Sequence, residues 1–246
     1  MDPTTVILLA LLMAVAAALY ASVGHGGASA YLGLMALFAV PVEVMRPTAL
    51  ALNLVVAGYA AVSYLRAGQF NPRLFLIFAV TAVPMAWFGG RIAVPPEVYR
   101  PLLGVVLWAA AARMLWRPAW TAARPVQPPR TLVALPVGAG LGLLAGLTGT
   151  GGGIFLSPLI LLFRWEEPRR TAGVAAVFIV VNSAAGLAGN LSVLPALPPA
   201  LPVFIAAVAV GALVGTWMGL HRLPRPWLLV LLGVVLLLAG AKLIFT

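Results

Sequence analysis

Cysteine is absent from all 246 residues, so no disulfide framework and no thiolate metal site can form. Histidine occurs only at His25 and His221, which removes a multi-histidine metal centre. No P-loop pattern is present, so no nucleotide cofactor is expected and pumping would have to draw on a gradient. Charge is scarce as well, at 8% of residues. Residues 3–42, 131–163 and 171–220 contain no Asp, Glu, Lys or Arg, and each stretch is long enough for at least one membrane span of about 20 residues. The alternating pattern of a membrane β-barrel is also missing. No catalytic constellation stands out, because the uncharged stretches offer His25 as their only titratable acid–base group of neutral range.

What remains is 63% hydrophobic, with mean hydropathy +1.09. This composition describes an all-α polytopic membrane protein in contact with the lipid bilayer. The net charge of +10 does not indicate nucleic acid, because the 15 basic residues fall in short loops between apolar runs. The Met1-Asp2-Pro3 start lacks the basic region of a signal peptide. Ala18-Leu19-Tyr20-Ala21 resembles a cleavage site, yet the repeat described next makes the first segment part of the mature fold.

A glycine cluster occurs twice, as Gly24-His25-Gly26-Gly27-Ala28 and as Gly149-Thr150-Gly151-Gly152-Gly153. Each glycine costs a helix roughly 1 kcal/mol, so each cluster predicts a break in the helix. At membrane depth, a break is tolerated only inside protein or along a cavity. Apolar runs predict ten helical pieces, at about 4–23, 28–40, 47–65, 73–91, 99–116, 131–148, 153–163, 171–190, 202–220 and 226–245. Pieces 2 and 7 are too short to span. Residues 117–130, with four prolines, read as a linker between a first repeat (1–116) and a second (131–246). Phe38 matches Phe163, Thr48 matches Thr171, Gly90 matches Gly219, and Gly104-Val105-Val106-Leu107 matches Gly233-Val234-Val235-Leu236.

Arginine placement chooses between two topologies. If pieces 1–2 and 6–7 were continuous spans, the fifteen basic residues would divide seven against eight. If each glycine cluster turns the chain back, loops 66–73, 113–130, 164–170 and 222–225 share one side and carry eleven of the fifteen. The positive-inside rule selects this second arrangement and makes the linker cytoplasmic. Trp116, Trp120, Trp165, Trp217 and Trp227 fall near the same side, as an aromatic belt would. The fold expected is therefore two inverted repeats, each a Gly-broken helical hairpin followed by three transmembrane helices. Such broken helices mark transporter binding sites.

The whole chain resembles the sulfite exporter TauE/SafE family. The resemblance rests on the duplicated pattern, on G-x-G-G-G as Gly149 to Gly153, and on Thr171…Asn182-Ser183…Gly186. The first half departs from it with Gly24-His25-Gly26-Gly27-Ala28. The resemblance implies a carrier of small anions, sulfite or organosulfonates among them, in the bacterial inner membrane.

None of the expected spans has a central Lys or Arg, so helix N-termini would supply the positive potential, each equivalent to about half a charge. Candidate substrate-binding residues are Ser22, Gly24, His25, Gly26 and Gly27 at the first break, and Thr148, Gly149, Thr150, Gly151, Gly152 and Gly153 at the second. Asn53, Asn182 and Ser183 join them as polar groups within spans, where unsatisfied burial is costly. His25 is also the candidate for proton coupling. The bland alternatives are helix packing for the glycines, backbone capping for the hydroxyls, and interhelical bonding for the Asn–Ser pair. Gly211, Gly215 and Gly219 read as a packing stripe. A passive channel and an intramembrane enzyme are the rival functions.

Overall fold

The computed structural model describes residues 2–115, 126–189, 197–221, 237 and 240–245. These residues are helical and contain no strand. The helices are α1 (Pro3–Ala21), α2 (Ala28–Leu37), α3 (Val42–Arg66), α4 (Pro72–Arg91), α5 (Pro96–Leu115), α6 (Thr131–Thr148), α7 (Gly153–Leu162), α8 (Pro168–Gly189) and α9 (Leu201–His221). Residues 240–245 are helical too and pack on α5, where Ile244 and Gly240 meet Gly104. Most of the expected piece 226–245, linker residues 117–125, Gly233–Leu236, Trp116, Trp120 and Trp227 lie outside the described residues.

Local chemistry sets several boundaries. Asp2 accepts the Thr5 N–H at 3.0 Å, and Pro3 follows at the first helical position. Asn71 and Pro72 repeat this device at the start of α4, where Asn71 accepts the Leu74 N–H at 3.1 Å. The largest departure from expectation is α3. It begins at Val42, five residues early, because Pro47 sits inside the helix and not at its start. Arg46 thereby enters the helix and the interior, 7% exposed.

Six helices (α1, α3, α4, α6, α8 and α9) are long and apolar enough to cross a membrane, whereas α2 and α7 have ten residues each and reach only about 15 Å. Large side chains point outward, with Leu11, Val80 and Val210 about 60% exposed. Small residues line the seams between helices. Helices α1 and α9 run parallel, with Gly211, Gly215 and Gly219 set against the carbonyls of Ala14, Ala18 and Ser22. Helices α6 and α4 make the same seam: Gly138, Gly142 and Gly146 lie on the carbonyls of Phe78, Ala82 and Ala86. At the centre α3 and α8 cross antiparallel, since Tyr64 meets Gly173, Asn53 meets Ser183, and Leu50 meets Gly186.

Both glycine clusters turn the chain back. The Gln127 N–H donates to the Arg164 carbonyl at 3.0 Å, so α7 ends on the side where α6 starts. Tyr64, near the end of α3, donates to the Ser22 carbonyl at the end of α1, while α2 leads through a short turn to the beginning of α3. Asn71 donates to Glu166, joining loops 66–73 and 164–170. Arg46 donates to the Ile92 carbonyl, and Lys242 to that of Leu37. Among the described residues, these contacts gather 66–73, 126–130 and 164–170 on one side, and 41–46 and 91–100 on the other, as the turned-back topology expects. Continuous spans would place residues 127 and 164 at opposite faces.

Candidate functional site

The breaks are built from left-handed backbone. Gly24 (φ 75°) and Gly27 (φ 93°) shape the first; Gly149 (φ 82°), Gly151 (φ 74°) and Gly152 (φ 76°) shape the second. Side chains resist this region, which is why glycine recurs there. Gly27 and Gly152 stand at the N-caps of α2 and α7, and neither can offer a capping side chain. Among the described residues, no hydrogen bond engages the N–H of Gly26, Gly27, Gly151 or Gly152.

The two breaks meet at Asn53, which is fully buried on α3. Its Oδ1 accepts the N–H of Ala28, the first residue of α2, at 3.1 Å. Its Nδ2 faces the Thr150 carbonyl at 3.4 Å and the Ser183 Oγ of α8 at 3.3 Å. One amide thus ties together both breaks and both central helices. Ile179 closes the opposite side, for its methyl abuts both Gly26 and Gly151. A side chain at Gly26 would overlap the Asn53 amide, and one at Gly151 would meet Asn53 and Ser183. Gly153 packs on Ile179 nearby.

The remaining candidates lie around this centre. Thr150 shares a 2.9 Å hydroxyl contact with Thr148, which donates to the Leu144 carbonyl. Asn182 is fully buried and donates to the Phe178 carbonyl, while its Oδ1 has no partner. Ser22 and Gly24 stand apart. The Ser22 hydroxyl donates to Leu19 in its own helix, and Gly24 presses on the backbone of Ala172 near the start of α8. Gly149 lies correspondingly at Arg46, near the start of α3. Gly152 packs against Phe178 and the Leu141 carbonyl, behind the centre. His25 is half-buried; its Nδ1 lies 2.9 Å from the Val23 carbonyl, and its ring meets that of Tyr20 edge-on.

Sequence reasoning missed the aromatic frame of the first break. Tyr31 donates to the Gly26 carbonyl at 2.8 Å, and Tyr20 shares a 2.7 Å bond with Ser29. Both tyrosines are buried, and their place within a break's flanking turns was the available signal. It also missed Arg46. This guanidinium donates to the carbonyls of Gly89, Gly90 and Ile92, the C-terminal end of α4, with no carboxylate beside it.

The centre is thus closed, neutral and donor-rich. Two helix N-termini point at it, together equivalent to about one positive charge. Such a place suits an oxyanion better than a cation. Among the described residues, no three His, Asp or Glu side chains converge as a metal site would require. A cavity of 370 Å³ lies elsewhere, between Pro96, Glu97, Arg100 and Pro101 of α5 and Leu243–Ile244.

Comparison with known proteins agrees with this reading at the level of class. The chain is 39% identical over 246 residues to a protein of Sinorhizobium fredii described as probable membrane transporter protein y4hK, covering 98% of this chain and 99% of that one. No solved structure matches. The family model described as sulfite exporter TauE/SafE matches residues 9–243. With its helices, its paired breaks and this match over nearly its whole length, the chain is a multi-pass membrane protein that belongs to the TauE/SafE sulfite exporter family.

Proposed function

We propose that this protein is a secondary transporter of small sulfur-containing oxyanions, of the sulfite or organosulfonate class, in the bacterial inner membrane. The anion binds between the N-termini of α2 and α7, at the N–H groups of Gly26, Gly27, Gly151 and Gly152, with Thr150, Asn53 and Ser183 as its neutral polar surroundings. The convergence of both breaks on Asn53 carries the reading. The unengaged N–H groups there are the donors that a desolvated oxyanion requires. The family's description supports sulfite as the first substrate to test.

The two halves act as inverted repeats. The antiparallel crossing of α3 and α8 supports this, as do the reciprocal seams, in which α1 lies on α9 and α6 on α4. Each half then supplies one broken hairpin to a shared midplane site, and rocking of the halves exposes it to either side. His25, beside the first break, is the group placed to couple a proton.

The test is counterflow in proteoliposomes. Preloaded sulfite should accelerate uptake of labelled sulfite, saturably, and sulfonates should compete while chloride should not. Flux that rises linearly with concentration and shows no counterflow would make the protein a channel. No flux of any tested oxyanion would sink the substrate class.

A further inference from the structure

The turn that joins each hairpin to its central helix carries a second duplicated motif. Glu43-x-x-Arg46-x-Thr48 begins α3, and Glu166-x-x-Arg169-x-Thr171 begins α8, at a constant offset of 123 residues. The preceding turns match as well. Among the described residues, Ala39 and Arg164 are the two non-glycine residues with positive φ, at 54° and 53°. In both copies the Thr hydroxyl is buried without a partner. Each Arg also lies within electrostatic range of a tyrosine that binds the end of a hairpin's first helix. Arg46 lies within electrostatic range of Tyr99, whose hydroxyl donates to the Thr148 carbonyl. Arg169 lies within range of Tyr64, whose hydroxyl donates to the Ser22 carbonyl.

The copies differ in which charge is inside. In the first, Arg46 is buried and Glu43 exposed; the guanidinium seals the C-terminal carbonyls of α4 against the Gly149 turn. In the second, Glu166 is 4% exposed and accepts from Asn71, while Arg169 is exposed. The matching end of α9, around Gly219, is half-exposed, whereas Gly89 and Gly90 are buried. Among the described residues, the end of α4 is held by the arginine of its motif and the end of α9 is not.

We propose that Arg46 and Arg169 are the two gate residues of the transporter. Arg46 latches its mouth by binding the C-terminal carbonyls of α4. When the halves exchange conformation, Arg46 leaves and Arg169 binds the corresponding carbonyls of α9, from Met218 to His221. A guanidinium suits this task, since its fork spans several carbonyls and its charge complements a helix C-terminus. The same charges draw anions toward each mouth. This inference rests on the inverted-repeat transporter reading.

The absence of native cysteine permits single-cysteine reporters. Thr148→Cys, beneath the Arg46 latch, is placed in the full-length protein in lipid nanodiscs and timed with a hydrophilic maleimide. Adding Arg46→Gln should accelerate labelling about tenfold or more, the equivalent of losing one charge-assisted hydrogen-bond set. Adding Arg169→Gln, at an exposed position that folding tolerates, should slow it and should also slow sulfite counterflow. Arg46→Lys should fall between. Unchanged labelling in Arg46→Gln that keeps the parent's melting temperature would overturn the latch. Normal counterflow and labelling in Arg169→Gln would overturn the alternation even if Arg46→Gln does not fold. Absence of saturable counterflow in the protein with Thr148 intact would instead strike the transporter reading and leave the labelling result standing.

Discussion

Asn53 uses both ends of one amide, and that asymmetry makes it testable. Asn53→Asp keeps the acceptor for the Ala28 N–H but loses the donor that faces Thr150 and Ser183. It also places a carboxylate at the proposed anion site. Sulfite affinity should fall by at least about tenfold, while Asn53→Ala, which strands a buried N–H, should lower stability by about 1–3 kcal/mol. Isothermal titration of each variant distinguishes them, and unchanged affinity in Asn53→Asp would move the site elsewhere. Glycine substitutions need more care. Gly152→Leu combines left-handed backbone with contact on Phe178 and the Leu141 carbonyl, so it should destabilise the fold as well as the site. Gly26 has no positive φ, and a methyl there meets chiefly the Asn53 amide. Gly26→Ala should therefore reduce sulfite binding with a smaller change in melting temperature than Gly152→Leu; the reverse order would make Gly26 a packing residue.

Among the elements, helix limits were legible wherever proline or glycine punctuates an apolar run. Helix α6 falls on its expected residues, and α7 differs by one, because Arg130 and the Gly149–Gly153 cluster bound them sharply. The start of α3 was not legible. Proline is commonest at a helix start, yet Pro47 lies in the second turn, and only the packing of Arg46 on the end of α4 accounts for the extra turn. Spacing also revealed the Gly211-Gly215-Gly219 stripe but not its partner, which is α1. The equivalent stripe at Gly138, Gly142 and Gly146 carries the same four-residue signal. Since these glycines lie on carbonyls of the facing helix, a larger residue must push the pair apart. Gly142→Leu and Gly215→Leu should each lower the detergent melting temperature, with an overpacking cost of about 1–3 kcal/mol or more. Gly140→Leu has open space around it and should not. Equal losses in all three would show that helix propensity, and not the seam, sets the effect.

Across the whole molecule, charge and packing bear on topology by separate routes. The site's polar residues could be named from sequence because neutral polar groups are rare in uncharged spans. Their meeting at Asn53 could not, because it depends on the antiparallel crossing of α3 and α8, which no local pattern encodes. Contacts tie the described loops 66–73, 126–130 and 164–170 to one side, and 41–46 and 91–100 to the other. Gln127 joins Arg164, Asn71 joins Glu166, and Arg46 joins Ile92. What contacts leave to the charges is which set faces the cytoplasm. Loops 66–73, 113–130, 164–170 and 222–225 hold eleven of the fifteen basic residues, and so they should be cytoplasmic. Gln127 and Ala93 are exposed members of the two sets. In intact cells, Ala93→Cys should react with a membrane-impermeant maleimide and Gln127→Cys should not, until the membrane is permeabilised. The opposite pattern would invert the protein in the membrane while keeping its two sets of loops. Labelling of both residues from outside would break the sets themselves, and with them the paired hairpins that bring Gly26 and Gly151 to one amide.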